Sequence, residues 1–178
     1  MILTLIGYRA TGKTTVARLV AERLGRPWID ADVEIERRAG KSIARMFAED
    51  GEPAFRDLEA ATMADLCRQA GLVIAAGGGA PLRPETRQAM RAAGKVVWLT
   101  ARPETIHARM TADATTAGRR PSLTDRDALD EIVHVLDRRE PIYRETADHR
   151  IDTEQKPPEV VAEEVLAWLA SLPAEETP

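Results

Sequence analysis

The sequence predicts an α/β protein, a three-layer P-loop fold whose parallel sheet of five strands is covered on both faces by helices. Three observations carry this. Five short apolar runs alternate with segments of helical periodicity. The first run leads directly into Gly7-Tyr8-Arg9-Ala10-Thr11-Gly12-Lys13-Thr14, a complete G-x-x-x-x-G-K-[ST] motif followed by an amphipathic helix. A length of 178 residues suits one domain with a core of its own. Residues 1–172 read as that domain and 173–178 as a disordered tail.

In chain order, Ile2–Ile6, Pro27–Ile29, Leu72–Ala75, Val96–Leu99 and Arg150–Asp152 read as buried strands. Between the first two, Lys13–Leu24 puts Val16, Leu19, Val20 and Leu24 on one helical face. The segment Glu52–Ala70 opens after Gly51 and carries Phe55, Leu58, Met63 and Leu66; Arg102–Thr111, Asp127–Arg138 and Pro158–Leu169 repeat the pattern. One segment, 112–124, has no periodicity and is small, polar and punctuated by Gly118 and Pro121. A loop of that length in a compact domain is a lid, a binding loop or disordered. Ligands of such sheets bind at the carboxyl ends of the strands, and the residues singled out below follow predicted strands or lie in loops.

Composition narrows the function. Hydrophobic residues make up 44% and charged residues 30%, as in ordinary globular proteins. No apolar run is long enough to cross a bilayer, and the N-terminus lacks the basic region and the length of a signal peptide; no membrane partner is expected. Cys67 is the one cysteine, which excludes an internal disulfide or a cysteine-built metal site and suits a cytoplasmic setting. Net charge is -4 with the signs interleaved, which argues against nucleic acid as a partner. A small anionic ligand needs only a few placed arginines. A monomer is the expected state.

The P-loop establishes a nucleoside triphosphate. Gly7 and Gly12 let the backbone curl so that N–H groups around Ala10 and Thr11 point at phosphate oxygens. The helix N-terminus at Thr14 and Thr15 adds partial positive charge. Lys13 reaches the β- and γ-phosphates, and the Thr14 hydroxyl is a Mg²⁺ ligand. The alternative, a chance glycine turn capped by threonine, is disfavoured by the strand before it and the helix after it.

The acceptor side is read from weaker signals. After the second strand comes Asp30-Ala31-Asp32, where Asp30 is placed to hold Mg²⁺ through water. Asp32 is placed to accept hydrogen bonds from an acceptor hydroxyl, and a role as its base stays open; the plainer reading is that Asp32 caps the following helix. Gly77-Gly78-Gly79 follows the third strand and either exposes backbone N–H groups to a ligand or forms a mobile turn. Arg56 and Arg139 singly read as solvated surface residues; together they suit a carboxylate.

In order and spacing, several elements resemble the shikimate kinase family along nearly the whole chain. They are the P-loop, Trp28-Ile29-Asp30-Ala31-Asp32, Gly40-Lys41-Ser42-Ile43, Phe55-Arg56, Gly77–Gly79, Arg120-Pro121, Arg139-Glu140-Pro141-Ile142-Tyr143 and Ile151-Asp152-Thr153. The resemblance implies a five-stranded parallel sheet in the order 2-3-1-4-5 with a mobile lid, and transfer of the ATP γ-phosphoryl group to the 3-hydroxyl of shikimate with Mg²⁺. It further implies shikimate contacts from Asp32, Arg56, Gly77, Gly78, Gly79 and Arg139, and a lid arginine, Arg120, on the ATP phosphates. Some relatives place an arginine on adenine where Met110 stands here; Arg109 substitutes, or adenine rests on the loop near Lys156 and Pro158. Rival readings are a P-loop kinase of a nucleoside monophosphate or gluconate, and a nucleotide-dependent binding protein. His107, His134 and His149 have no metal or triad spacing and read as structural.

Overall fold

The computed structural model describes residues 1–112 and 128–173. Its sheet has five parallel strands in the order β2-β3-β1-β4-β5: β1 (Ile2–Ile6), β2 (Trp28–Asp30), β3 (Val73–Ala75), β4 (Gly94–Thr100) and β5 (His149–Asp152). The helices are α1 (Lys13–Leu24), α2 (Ala31–Ala39), α3 (Ile43–Glu49), α4 (Gly51–Leu66), α5 (Pro84–Ala93), α6 (Pro103–Ala112), α7 (Ala128–Thr146) and α8 (Pro158–Ser171). β1 is buried along its whole length because it lies mid-sheet under helices on both faces, which is why it reads as a continuous apolar run.

Alternation along the strands splits the core in two. Leu3, Leu5, Val73, Ala75, Val97, Leu99 and Ile151 face α1 and α8, where they meet Val16, Val20, Val161 and Val165. Ile2, Ile6, Ile74, Val96 and Trp98 point to the other face and meet Met63 and Leu66 of α4, Met90 of α5 and Tyr143 of α7. A satellite cluster under α6 and α7 gathers Ile106, Ile132 and Val135 around Tyr8 of the P-loop.

All five expected strands are present, with no end shifted by more than two residues and β1 unshifted. The helices α2, α3 and α5 add to the segments with clear periodicity. All three are short; α2 and α3 have side-chain caps at their starts, whereas α5 has none and packs Met90 into the core. The Asp30 carboxylate caps α2 by accepting from the amides of Asp32 and Val33, and Ser42 caps α3. Within α2, Glu34 is little exposed and accepts from both Arg37 and Arg38, which hold its carboxyl down at about 2. The largest difference is α7, which runs to Thr146 through Pro141 instead of stopping at Arg138. Proline removes one helical donor, and here burial of Tyr143 against Trp98, with ring centroids 5.8 Å apart, keeps the chain helical beyond it. The segment 113–127 contains most of the expected lid, Arg120 included, and lies outside the described residues; Ala112 still belongs to α6.

Candidate active site

Strand register brings three loops together. Leu5 lies opposite Ala75, and Ala75 lies opposite Asp30. The chain leaves β1, β3 and β2 within one or two residues of those positions, so the P-loop, Gly77–Gly79 and Asp30–Asp32 emerge side by side. The chain also turns to opposite sides of β1 here, β3 on one and β4 on the other, the topological switch that opens a crevice in such sheets.

The P-loop is built from backbone that side chains resist. Gly7 and Gly12 have φ of 139° and 91°, and Ala10, an L residue, sits at 61°. A Cβ on Gly7 would strike the Leu99 carbonyl of β4. Left-handed geometry at a non-glycine residue costs about 1–3 kcal/mol and is kept where the loop itself is the function. No side chain caps the start of α1, so its amides stay available to an anion. Lys13 is buried, and its Nζ donates to the Tyr8 carbonyl at 2.7 Å, as does the Thr11 hydroxyl at 2.8 Å. Thr14 and Thr15 are exposed at the mouth.

Thr14 Oγ1 donates to Asp30 Oδ2 at 2.6 Å, joining α1 to the end of β2. Asp30 Oδ1 accepts from the Asp32 amide at 2.9 Å. The capping role that the sequence left open for Asp32 thus belongs to Asp30, and the Asp32 side chain is not used for it. A hydroxyl and a carboxylate oxygen side by side are the hard, sparse donor set that Mg²⁺ takes when phosphates supply the remaining ligands. Among the described residues no group of three or more His, Cys, Asp and Glu is arranged to hold a metal by itself.

Across the crevice, Gly78 and Gly79 seat the two arginines. The Gly78 carbonyl accepts from Arg139 Nη1 at 3.2 Å and from the Tyr143 hydroxyl at 2.6 Å. Arg56 is held by Glu59 at 2.6 Å and Glu52 at 3.0 Å. Burial opposes its charge, but the two carboxylates outweigh that and raise its pKa above the ordinary value. Its guanidinium fills the space where a Gly79 side chain would stand: a Cβ there would lie 2.7 Å from Arg56 Cζ. Gly79→Ala is therefore expected to push Arg56 off its seat. If Arg56 holds the acceptor, acceptor KM should rise about 10- to 100-fold, the loss of one charged hydrogen bond, with ADP affinity unchanged. Steady-state kinetics and ADP titration check both.

The adenine-side residues also converge. A cavity of about 230 Å³ behind the P-loop is lined by Ala10, Thr11, Gly12, Arg109, Thr153, Lys156 and Pro158. Arg109 donates to the Thr153 carbonyl at 2.8 Å and its hydroxyl at 3.0 Å, and reaches the Ala10 carbonyl at 3.4 Å. Lys156 pairs with Glu164 at 2.7 Å. Both alternatives for adenine thus border one cavity. Sequence reading gave no role to Glu52 or Glu59 and quoted Thr153 only as part of a resembling element. The first two stand four before and three after Arg56 on one helix, a spacing that marks ion-pair partners; the partnership of Thr153, just after β5, with Arg109 of α6 has no local signal.

A family model described as shikimate kinase matches residues 9–170. The shikimate kinase of Rhodopirellula baltica is 48% identical over 164 residues, covering 92% of this chain and 88% of that protein. The chain belongs to the shikimate kinase family. Within that family, the shikimate kinase of Pseudomonas savastanoi pv. phaseolicola is 45% identical over 171 residues, 96% of this chain and 97% of its own. A solved shikimate kinase from Acinetobacter baumannii in complex with shikimate superposes with a TM-score of 0.90 at 35% identity, covering 96% of this chain and 93% of that one. Family membership accounts for the P-loop, the sheet order and the use of ATP together.

Proposed function

We propose that this protein is a shikimate kinase that transfers the γ-phosphoryl group of ATP to the 3-hydroxyl of shikimate, giving shikimate 3-phosphate and ADP on the path to aromatic amino acids. The observation that carries the reading is the seating of Arg56 and Arg139 on successive members of one glycine turn, beside the P-loop. Two guanidinium groups at that spot suit a small acceptor bearing a carboxylate. Asp32 receives the acceptor hydroxyl and, as its base, takes the proton; the hydroxyl oxygen attacks γ-phosphorus as the bond to the ADP oxygen breaks. Lys13 and the α1 amides neutralise charge on the phosphoryl oxygens. Thr14 and Asp30, the latter through water, would hold Mg²⁺, which supplies charge neutralisation on the phosphates when bound. Arg109, Lys156 and Pro158 border the base.

Arg120 enters from the segment around 112–124 to neutralise phosphate charge, and that segment serves as the lid. The reading also includes one domain over 1–172, residues 174–178 lying outside the described residues, and a cytoplasmic monomer with small molecules as its only partners. Supporting it are a net charge of -4 and a single cysteine whose thiol burial pushes up to about 11, far from reactive.

With Mg-ATP, turnover of shikimate should exceed that of gluconate, AMP or CMP by at least about a thousandfold, since those acceptors place their charged and hydroxyl groups differently and would leave buried polar groups of the site unpaired. A coupled ADP-release assay on the four acceptors tests this. Equal turnover of any alternative would overturn the assignment.

A further inference from the structure

Two successive P-loop residues reach past the phosphate cradle to α7. Tyr8 packs on Ile132 and Val135. Arg9 Nη2 donates to Glu131 Oε1 at 3.3 Å, and Glu131 is 2% exposed. Further along the same helix, Arg139 and Tyr143 hold the Gly78 carbonyl. Glu131, Val135, Arg139 and Tyr143 recur every fourth residue, a stripe that stays on the site side of the helix for three turns. The triangle closes at Gly78 itself, because a Cβ there would lie 3.4 Å from the Gly7 carbonyl and 3.6 Å from the Arg9 amide. One rod thus touches both the loop proposed for the phosphates and the turn proposed for the acceptor.

The Arg9–Glu131 pair is a poor device for stability. The bond is long, and Arg9 Nε is buried with no hydrogen-bond partner among the described residues. The pair is part-buried, with the Arg9 side chain 18% exposed; charges drawn out of water seldom repay the cost by pairing, and an orphaned buried donor adds to it. A costly pair kept between two binding elements points to a role in geometry.

We infer that Arg9 and Glu131 are positioning residues: their pair fixes the P-loop at one distance from the helix that carries Arg139, and so sets the γ-phosphate against the acceptor hydroxyl. Neither touches a reacting atom. The inference rests on the functional reading above for the roles of the two loops. Misplacement of the reacting groups by about 1 Å costs on the order of a hundredfold in rate, so the pair should govern kcat and leave the binding of each ligand alone.

The test compares Arg9→Met, Glu131→Gln, the double variant and Arg9→Lys in the full chain. Rates are followed on whichever acceptor the wild-type protein turns over best, so failure of the shikimate assignment leaves this test standing. Binding of ADP and of the acceptor is measured separately by calorimetry. Expected are kcat values lowered about 10- to 100-fold in both single variants, no further loss in the double variant, partial recovery with Arg9→Lys, and Kd values within about threefold of wild type. A melting temperature lowered without a fall in kcat, multiplied losses in the double variant, or a tenfold weaker Kd for ADP or acceptor would each overturn it. The last would make Arg9 a ligand contact. Should Glu131→Gln fail to fold, equal kcat in Arg9→Met and wild type is by itself enough to reject the pair.

Discussion

Lys13→Met is expected to keep the fold and lose nearly all turnover. The lysine is buried at the start of α1 and rests on the Tyr8 carbonyl. Methionine has nearly the same reach and fills the same space, and the carbonyl keeps the Thr11 hydroxyl as a donor, so the loop has little reason to collapse. What disappears is a positive charge beside the transferring phosphoryl group. One such contact at a transition state is worth about 3–4 kcal/mol, or a fall in kcat of roughly a hundred- to a thousandfold. Turnover is measured together with circular dichroism and melting temperature. A folded variant within tenfold of wild-type kcat would remove Lys13 from the chemistry.

The second large effect separates the two aspartates after β2. Asp32→Asn should lower kcat for the acceptor by about a hundredfold or more, the usual worth of a positioned base, with ADP affinity kept. Asp30→Asn should behave otherwise. Asparagine caps helices nearly as well as aspartate, so α2 should survive, but the charged partner of the Thr14 hydroxyl is gone. The expected result is a raised Mg²⁺ requirement with acceptor KM little changed. Titrations of Mg²⁺ and acceptor on both variants distinguish the roles, and the reverse pattern would mean they are exchanged.

Much of the fold was legible because strong local signals agreed with one another. Buried parallel strands are continuous apolar runs, and Ile2–Ile6 could be little else. The glycines and threonine of the P-loop each answer a separate demand of one geometry, so the motif survives reading in isolation. The helices α2 and α3 were less visible because they are short and end caps and ion pairs help to hold them, terms that fade against an apolar stripe in a sequence. Pro141 marks the opposite failure: a strong local stop signal overruled by the burial of Tyr143, two residues on. In the site, strand register and direct contacts join the P-loop, Asp30, Gly78, Gly79, Arg56 and Arg139, and Arg109, Lys156 and Pro158 border one cavity. The role exchange between Asp30 and Asp32 as caps, and the hold of Thr153 on Arg109, depend on which side chains meet across loops. No one-dimensional pattern encodes that.

The packing of α8 on α1 has a consequence for how the molecule is made. The helix that presents the P-loop leans on Val161, Val165 and their neighbours, which come about 140 residues later in the chain. During synthesis, strand β1 and the P-loop emerge well before α8, and until then Val16 and Val20 lack the part of their cover that Val161 and Val165 supply. Arg139 and Tyr143, which seat the glycine turn, are also late. A growing chain therefore carries the nucleotide motif for most of its synthesis without the means to use it. Competence for both ligands should arise together, once α7 and α8 have emerged, and ATP would be of little help to any shorter intermediate.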